Sequence, residues 1–130
     1  MSRNVLIAAG ITGAVGVAIG AFGAHGLDAM LAARGYEVEL IERRLGQFDV
    51  GVRYHLIHSV ALLALASASG HAECLRWATR LFVAGLFLFS GSLYLLVLTN
   101  TTWLGAITPL GGLTWIFAWI CLAFSARQSE

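Results

Sequence analysis

Charge is what this sequence has least of. Acidic and basic residues make up 12% of its 130 residues, against about 25% in a soluble domain. A chain this short has a large surface, and so few ionised groups cannot solvate it. Water is therefore excluded as the medium for much of that surface. The net charge of +1 offers no basic patch, which excludes nucleic acid as a partner. A single proline leaves room for a chain that is mostly helix. Two cysteines, Cys74 and Cys121, fall on the side read below as cytoplasmic. There thiols stay reduced, and with His71 they would make a poor zinc set. What is present is apolar: 58% hydrophobic residues, a mean hydropathy of +0.80 and 15 glycines. Glycine weakens helices in water but lets helices approach closely in lipid.

The apolar residues fall into four runs, at about residues 5–24, 52–69, 77–99 and 108–126. The first carries no charge and would rise about 30 Å, one hydrocarbon thickness. Arg3 followed by an apolar core and small residues also has the look of a signal peptide, but the run is longer than a usual signal core. Gly13, Gly16, Gly20 and Gly23 recur on one narrow helix face, which predicts close packing against another span. Residues 27–51 are the only long polar stretch. In it Val38, Ile41, Leu45, Phe48 and Val52 step by three and four, which predicts an amphipathic helix at the interface running into span two. Gly35 separates it from a shorter turn over residues 27–33. Thr108 followed by Pro109 reads as an N-cap and first helical residue for span four. Trp77, Trp103 and Tyr94 lie near span ends, as interfacial aromatics do; Trp115 and Trp119 lie deeper, at packing positions. The expected fold is one all-α domain over residues 1–130, a four-transmembrane-helix bundle with an amphipathic interfacial helix between spans one and two.

Short connections force the spans to alternate. His25 and Asp28 end span one, Arg53, Tyr54 and His55 begin span two, Tyr94 and Asn100 end span three, and Thr108 begins span four. All four ends then share one membrane face, with Ser90 and Ser92 about a turn deeper and the amphipathic stretch as a roof. His58 shares a helix face with His55, about 60° away. Two readings of this pair stay open. Together with His25 the histidines could ligate a metal or haem iron, or each imidazole could bond a carbonyl or hydroxyl on a neighbouring helix. No carboxylate stands beside them in a zinc or di-iron order, so no metal or other cofactor is expected. His25 with Asp28 could relay protons or cap a helix end. Arg53 has Asp49 one turn earlier and Asp28 across the bundle as candidate partners. Asn100-Thr101-Thr102 matches a glycosylation sequon but lies in a very short turn beside the bilayer. Arginines on the two sides tie: Arg3, Arg76, Arg80 and Arg127 against Arg34, Arg43, Arg44 and Arg53. The first set hugs span ends, which favours cytoplasmic termini.

Four blocks together carry a family resemblance. They are Gly20-Ala21-Phe22-Gly23-Ala24-His25-Gly26-Leu27; Phe48 with Val52-Arg53-Tyr54-His55 and His58; Phe89-Ser90-Gly91-Ser92-Leu93-Tyr94; and Gly105 with Ile107-Thr108-Pro109-Leu110-Gly111-Gly112. Over nearly its whole length the chain resembles the YgdD-like family of small multi-pass membrane proteins. The resemblance implies a four-span bundle in the bacterial inner membrane, and no established activity. Three functions fit. The first is a structural or accessory membrane protein assembling with itself or a partner complex in the lipid bilayer. The second is a small-solute transporter or channel acting as an oligomer, and the third is a haem or metal protein. No nucleophile, base and orienting group stand together, so an enzyme is not expected.

Overall fold

The computed structural model describes residues 2–125. Its elements are α1 (Arg3–His25), α2 (Leu27–Ala33), α3 (Val38–Ala66), α4 (Ala72–Gly85), a π-helical turn (Leu86–Gly91), α5 (Ser92–Thr99), a 3-10 turn (Thr102–Ala106) and α6 (Thr108–Ser125). Four segments are long and apolar enough to span a bilayer: Arg3–His25, Val38–Ala66, Ala72–Thr99 and Thr102–Ser125. Arg127 and the end of the fourth run lie outside the described residues.

The polar stretch divides at Gly35, which takes φ +76°, a conformation that glycine adopts without steric cost. Beyond it the amphipathic residues and span two form one uninterrupted helix, α3, of 29 residues. That is about 43 Å, well beyond the roughly 30 Å hydrocarbon layer. One seam runs along α3 through buried Ile41, Arg44, Phe48, Gly51, His55, His58, Leu62 and Leu65. Steps of three and four keep the seam on one side of the helix.

Helix α1 lays glycine on α3. A Cβ on Gly16 would stand 2.8 Å from Leu56, on Gly20 3.0 Å from Val52, and on Gly23 2.8 Å from Phe48. Gly13 departs from the expected face, since a Cβ there meets nothing within 4 Å. At 100° per residue it sits at the edge of the stripe and turns past α3. Span three packs between α3 and α6, so the spans stand in the order α1, α3, span three, α6. Two apolar cores result. One, around Leu62, Phe82, Leu86 and Trp115, joins α3, α4 and α6 toward the termini. The other, around Leu27, Leu31, Ile41, Phe48, Leu96 and Val97, seats α2 as a roof over α3 and α5.

Asn100 ends α5 in the left-handed region at φ 55°, which asparagine tolerates better than most residues. Thr108 is the first residue of α6 rather than its cap. Its hydroxyl is turned sideways to Ser92, 2.8 Å away, where it ties span four to span three instead of covering its own helix end.

Candidate functional site

The buried polar residues form separate cross-ties rather than one cluster. The first tie is at His55. Its Nε2 lies 3.0 Å from the carbonyl oxygen of Thr12 on α1, and its Nδ1 lies 3.1 Å from the Tyr94 hydroxyl on α5. A carbonyl only accepts, so Nε2 carries the proton and Nδ1 accepts from Tyr94. One imidazole thus bridges three spans with both nitrogens engaged, the fate that hydrocarbon imposes on buried polar groups. Tyr94 reaches this position across Gly51, where a Cβ would stand 2.9 Å from its ring.

His58 faces a different neighbour. Its Nδ1 donates to the Tyr54 carbonyl at 2.7 Å, and its ring lies flat on Trp115 of α6, centroids 3.6 Å apart and planes 3° from parallel. Trp115 donates its Nε1 proton to the Phe82 carbonyl at 3.1 Å. Tyr54 is part-exposed, with its ring against Phe89 and Trp115. The two histidines therefore diverge, one toward α1 and α5, the other toward α4 and α6. Among the described residues no group of three His, Cys, Asp or Glu side chains could hold a metal. His25 is exposed at the end of α1, so the triple-ligand arrangement with His55 and His58 is not formed.

Ser90 lies within the π-helical turn and Ser92 is the first residue beyond it. Ser90 donates to the Gly51 carbonyl at 2.8 Å, while Ser92 pairs with Thr108. A π turn adds one residue and so rotates the helix beyond it by about 100°. Two residues apart, and so about 200° apart around the helix, Ser90 faces α3 and Ser92 faces α6. Gly111 packs on this turn so closely that a Cβ would stand 2.4 Å from the backbone nitrogen of Phe89.

Arg53 pairs with Asp49 at 2.8 Å, and both side chains are exposed. Asp28 is exposed in the first turn of α2. Neither Asp28, His25 nor Arg53 joins the interior ties, because helical phase points each outward. The buried arginine is instead Arg44, 3% exposed. Its Nε and Nη2 donate to Oδ1 of Asn100 at 3.1 and 2.5 Å, and its Nη1 to Gln47 at 2.7 Å. Arg34 adds a second brace, donating to the carbonyl of Leu98 at 2.5 Å. Both arginines thus hold the end of span three, one through the Asn100 side chain and one through the backbone. Arg44 was legible in one way only. Stepping backward along Leu62, His58, His55, Gly51 and Phe48 lands on it, whereas the stripe through Leu45 and Val52 passes it by.

Residues 19–112 match the family described as protein of unknown function (DUF423). The chain belongs to this family. Similar curated members include the UPF0382 membrane protein YwdK of Bacillus subtilis (strain 168), 37% identical over 93% of this chain and 94% of that protein. The UPF0382 inner membrane protein YgdD of Escherichia coli (strain K12) is 35% identical over 96% and 90%. A UPF0382 membrane protein of Haemophilus influenzae is 34% identical over 100% and 98%. No solved structure matches. With four apolar helices and membrane-protein relatives of nearly its own length, the chain is an integral membrane protein of this family.

Proposed function

We propose that this protein is a structural or accessory component of the bacterial inner membrane that works by assembling with a second copy or a partner's transmembrane helix. One observation carries this reading. On the flank of α1, Gly10 and Gly13 stand over open space where a Cβ would meet nothing. They line a shallow apolar hollow with Val17 of α1 and Leu56, Val60 and Leu63 of α3. Small residues facing lipid allow another helix to approach closely. The interior polar groups support the same reading. The ring nitrogens of His55 and the hydroxyls of Ser90, Ser92 and Thr108 bond to neighbouring helices, so they join spans instead of lining an aqueous path. The name of the Escherichia coli relative supports the inner-membrane location, and the arginines close to span ends favour cytoplasmic termini.

Photo-crosslinking in native membranes from a reporter at Val17 tests the reading. A discrete crosslinked species is expected, lost in Gly13→Leu. A chain that is strictly monomeric after purification and captures no neighbour in membranes would overturn it. Reporter-enzyme fusions at the C-terminus, active only on the periplasmic side, test the orientation.

A further inference from the structure

The other flank of α1 suits a different occupant. Residues 11, 15, 19 and 22 of α1 turn away from the Gly10 and Gly13 side by roughly half a circle. Between them and span three lie two hollows. One, of about 350 Å³, is bounded by Ile11, Val15 and Phe87. The other, of about 280 Å³, is bounded by Phe22 and Leu98. They share Ile19 and Tyr94 as walls and so lie end to end along α1, where an elongated guest would lie across both as in one groove. Its lining is almost wholly apolar. The His55 ring that lines it has both nitrogens already bonded to Thr12 and Tyr94, so an apolar guest strands no polar atom there.

Length and charge identify the guest. From residue 11 to residue 22 is about 16 Å of helix, close to half the roughly 30 Å hydrocarbon thickness. The groove therefore runs from mid-bilayer to the roofed interface, the depth that one acyl chain occupies. At its interfacial end stands Leu98, whose carbonyl accepts from the exposed guanidinium of Arg34. A guanidinium has five N–H donors, and the remaining ones suit a phosphate oxygen. Acidic side chains nearby lie elsewhere: Glu37 and Glu39 share a hollow with Arg43, Asp49 lines the opposite flank with Gly20 and Ala24, and Asp28 is exposed on the first turn of α2.

We infer that the groove between α1 and span three binds one anionic phospholipid, an acyl chain along Val15 and Tyr94 and its phosphate on Arg34.

Native mass spectrometry of the purified full chain, titrated with palmitoyl-oleoyl phosphatidylglycerol or phosphatidylethanolamine, tests this. Both lipids offer a phosphate, but the ammonium of phosphatidylethanolamine offsets its charge and repels the guanidinium, so the anionic lipid should be retained about tenfold more strongly. Arg34→Gln should abolish that preference and Arg34→Lys should keep most of it. Val15→Trp, which fills the groove, should weaken retention of both lipids. A wild-type chain indifferent to headgroup charge, or an Arg34→Gln chain with undiminished preference, would overturn the inference. So would a dimer that Val15→Trp dissolves, which would give the groove to a second copy. A phosphatidylglycerol with a photoreactive group at its chain end gives a measurement independent of variants. Labelling should concentrate at Ile11 and Phe87, and even labelling of all lipid-facing residues would count against the site.

Discussion

Two helix pairs in this bundle solve the same problem differently. Where α1 meets α3, glycines give way to the ends of side chains: Gly16 to Leu56, Gly20 to Val52 and Gly23 to Phe48. Where span three meets α6, glycines give way to backbone and rings: Gly111 to the main chain of Phe89, and Gly85 to the indole of Trp115. The second pair also locks aromatic surface together, with Phe89 against Trp115 and Phe82 edge-on to Trp119. In lipid, apolar burial gives no net drive for helices to associate, so packing shape and interhelical hydrogen bonds decide. A contact on flexible side-chain ends can yield; one on backbone cannot. The α1–α3 pair should therefore be the tolerant seam and the span three–α6 pair the brittle one.

The sharpest way to break this contrast is Gly111→Val. Its Cβ would lie inside the Phe89 main chain, and overpacking of that kind costs about 3 kcal/mol or more. Equilibrium unfolding in mixed micelles should show that loss, or no folded protein at all; near-normal stability would erase the distinction. Trp115→Phe comes next. It removes the proton given to the Phe82 carbonyl and should cost about 1–2 kcal/mol by the same measurement. Gly16→Ala should cost about 1 kcal/mol or less, because only Leu56 and the edge of the His55 ring need shift. A loss as large as that of Gly111→Val would put both seams in one class. The smallest effect belongs to Gly13→Ala. With nothing within 4 Å of its Cβ, detergent-solubilised monomer should keep its stability or gain up to about 1 kcal/mol from helix propensity.

The architecture was legible because the bilayer imposes it. Uncharged runs of one membrane's length and a polar stretch broken at Gly35 are visible without any tertiary information. Alternation put His55, Tyr94, Asn100 and Thr108 at span ends on one face; Asn100 and Thr108 bond there, whereas His55 lies deeper and reaches Thr12 near the middle of α1. Which residues turn inward was less legible, because phase within a helix decides it and several phases fit a short polar stretch. Arg53 and Arg44 both lie on α3 among polar neighbours, yet one faces out with Asp49 and the other is buried on Asn100. The π-helical turn left no mark in the sequence beyond one serine and one glycine, Ser90 and Gly91. It nevertheless shifts the phase of everything after it in span three, so a count at 3.6 residues per turn carried on from α4 misplaces each later face by about 100°.

The absence of a joint between the polar stretch and span two has a mechanical consequence. Glu39, Glu42 and Arg43, exposed near the start of α3, are a handle on the same rod that carries His55 and His58. Torque applied at that end is not dissipated in a loop. The same rod runs on without a break to the imidazole that fastens α1 to α5 and to the one resting on the indole of α6, so the exposed end and the interior ties belong to one rigid piece.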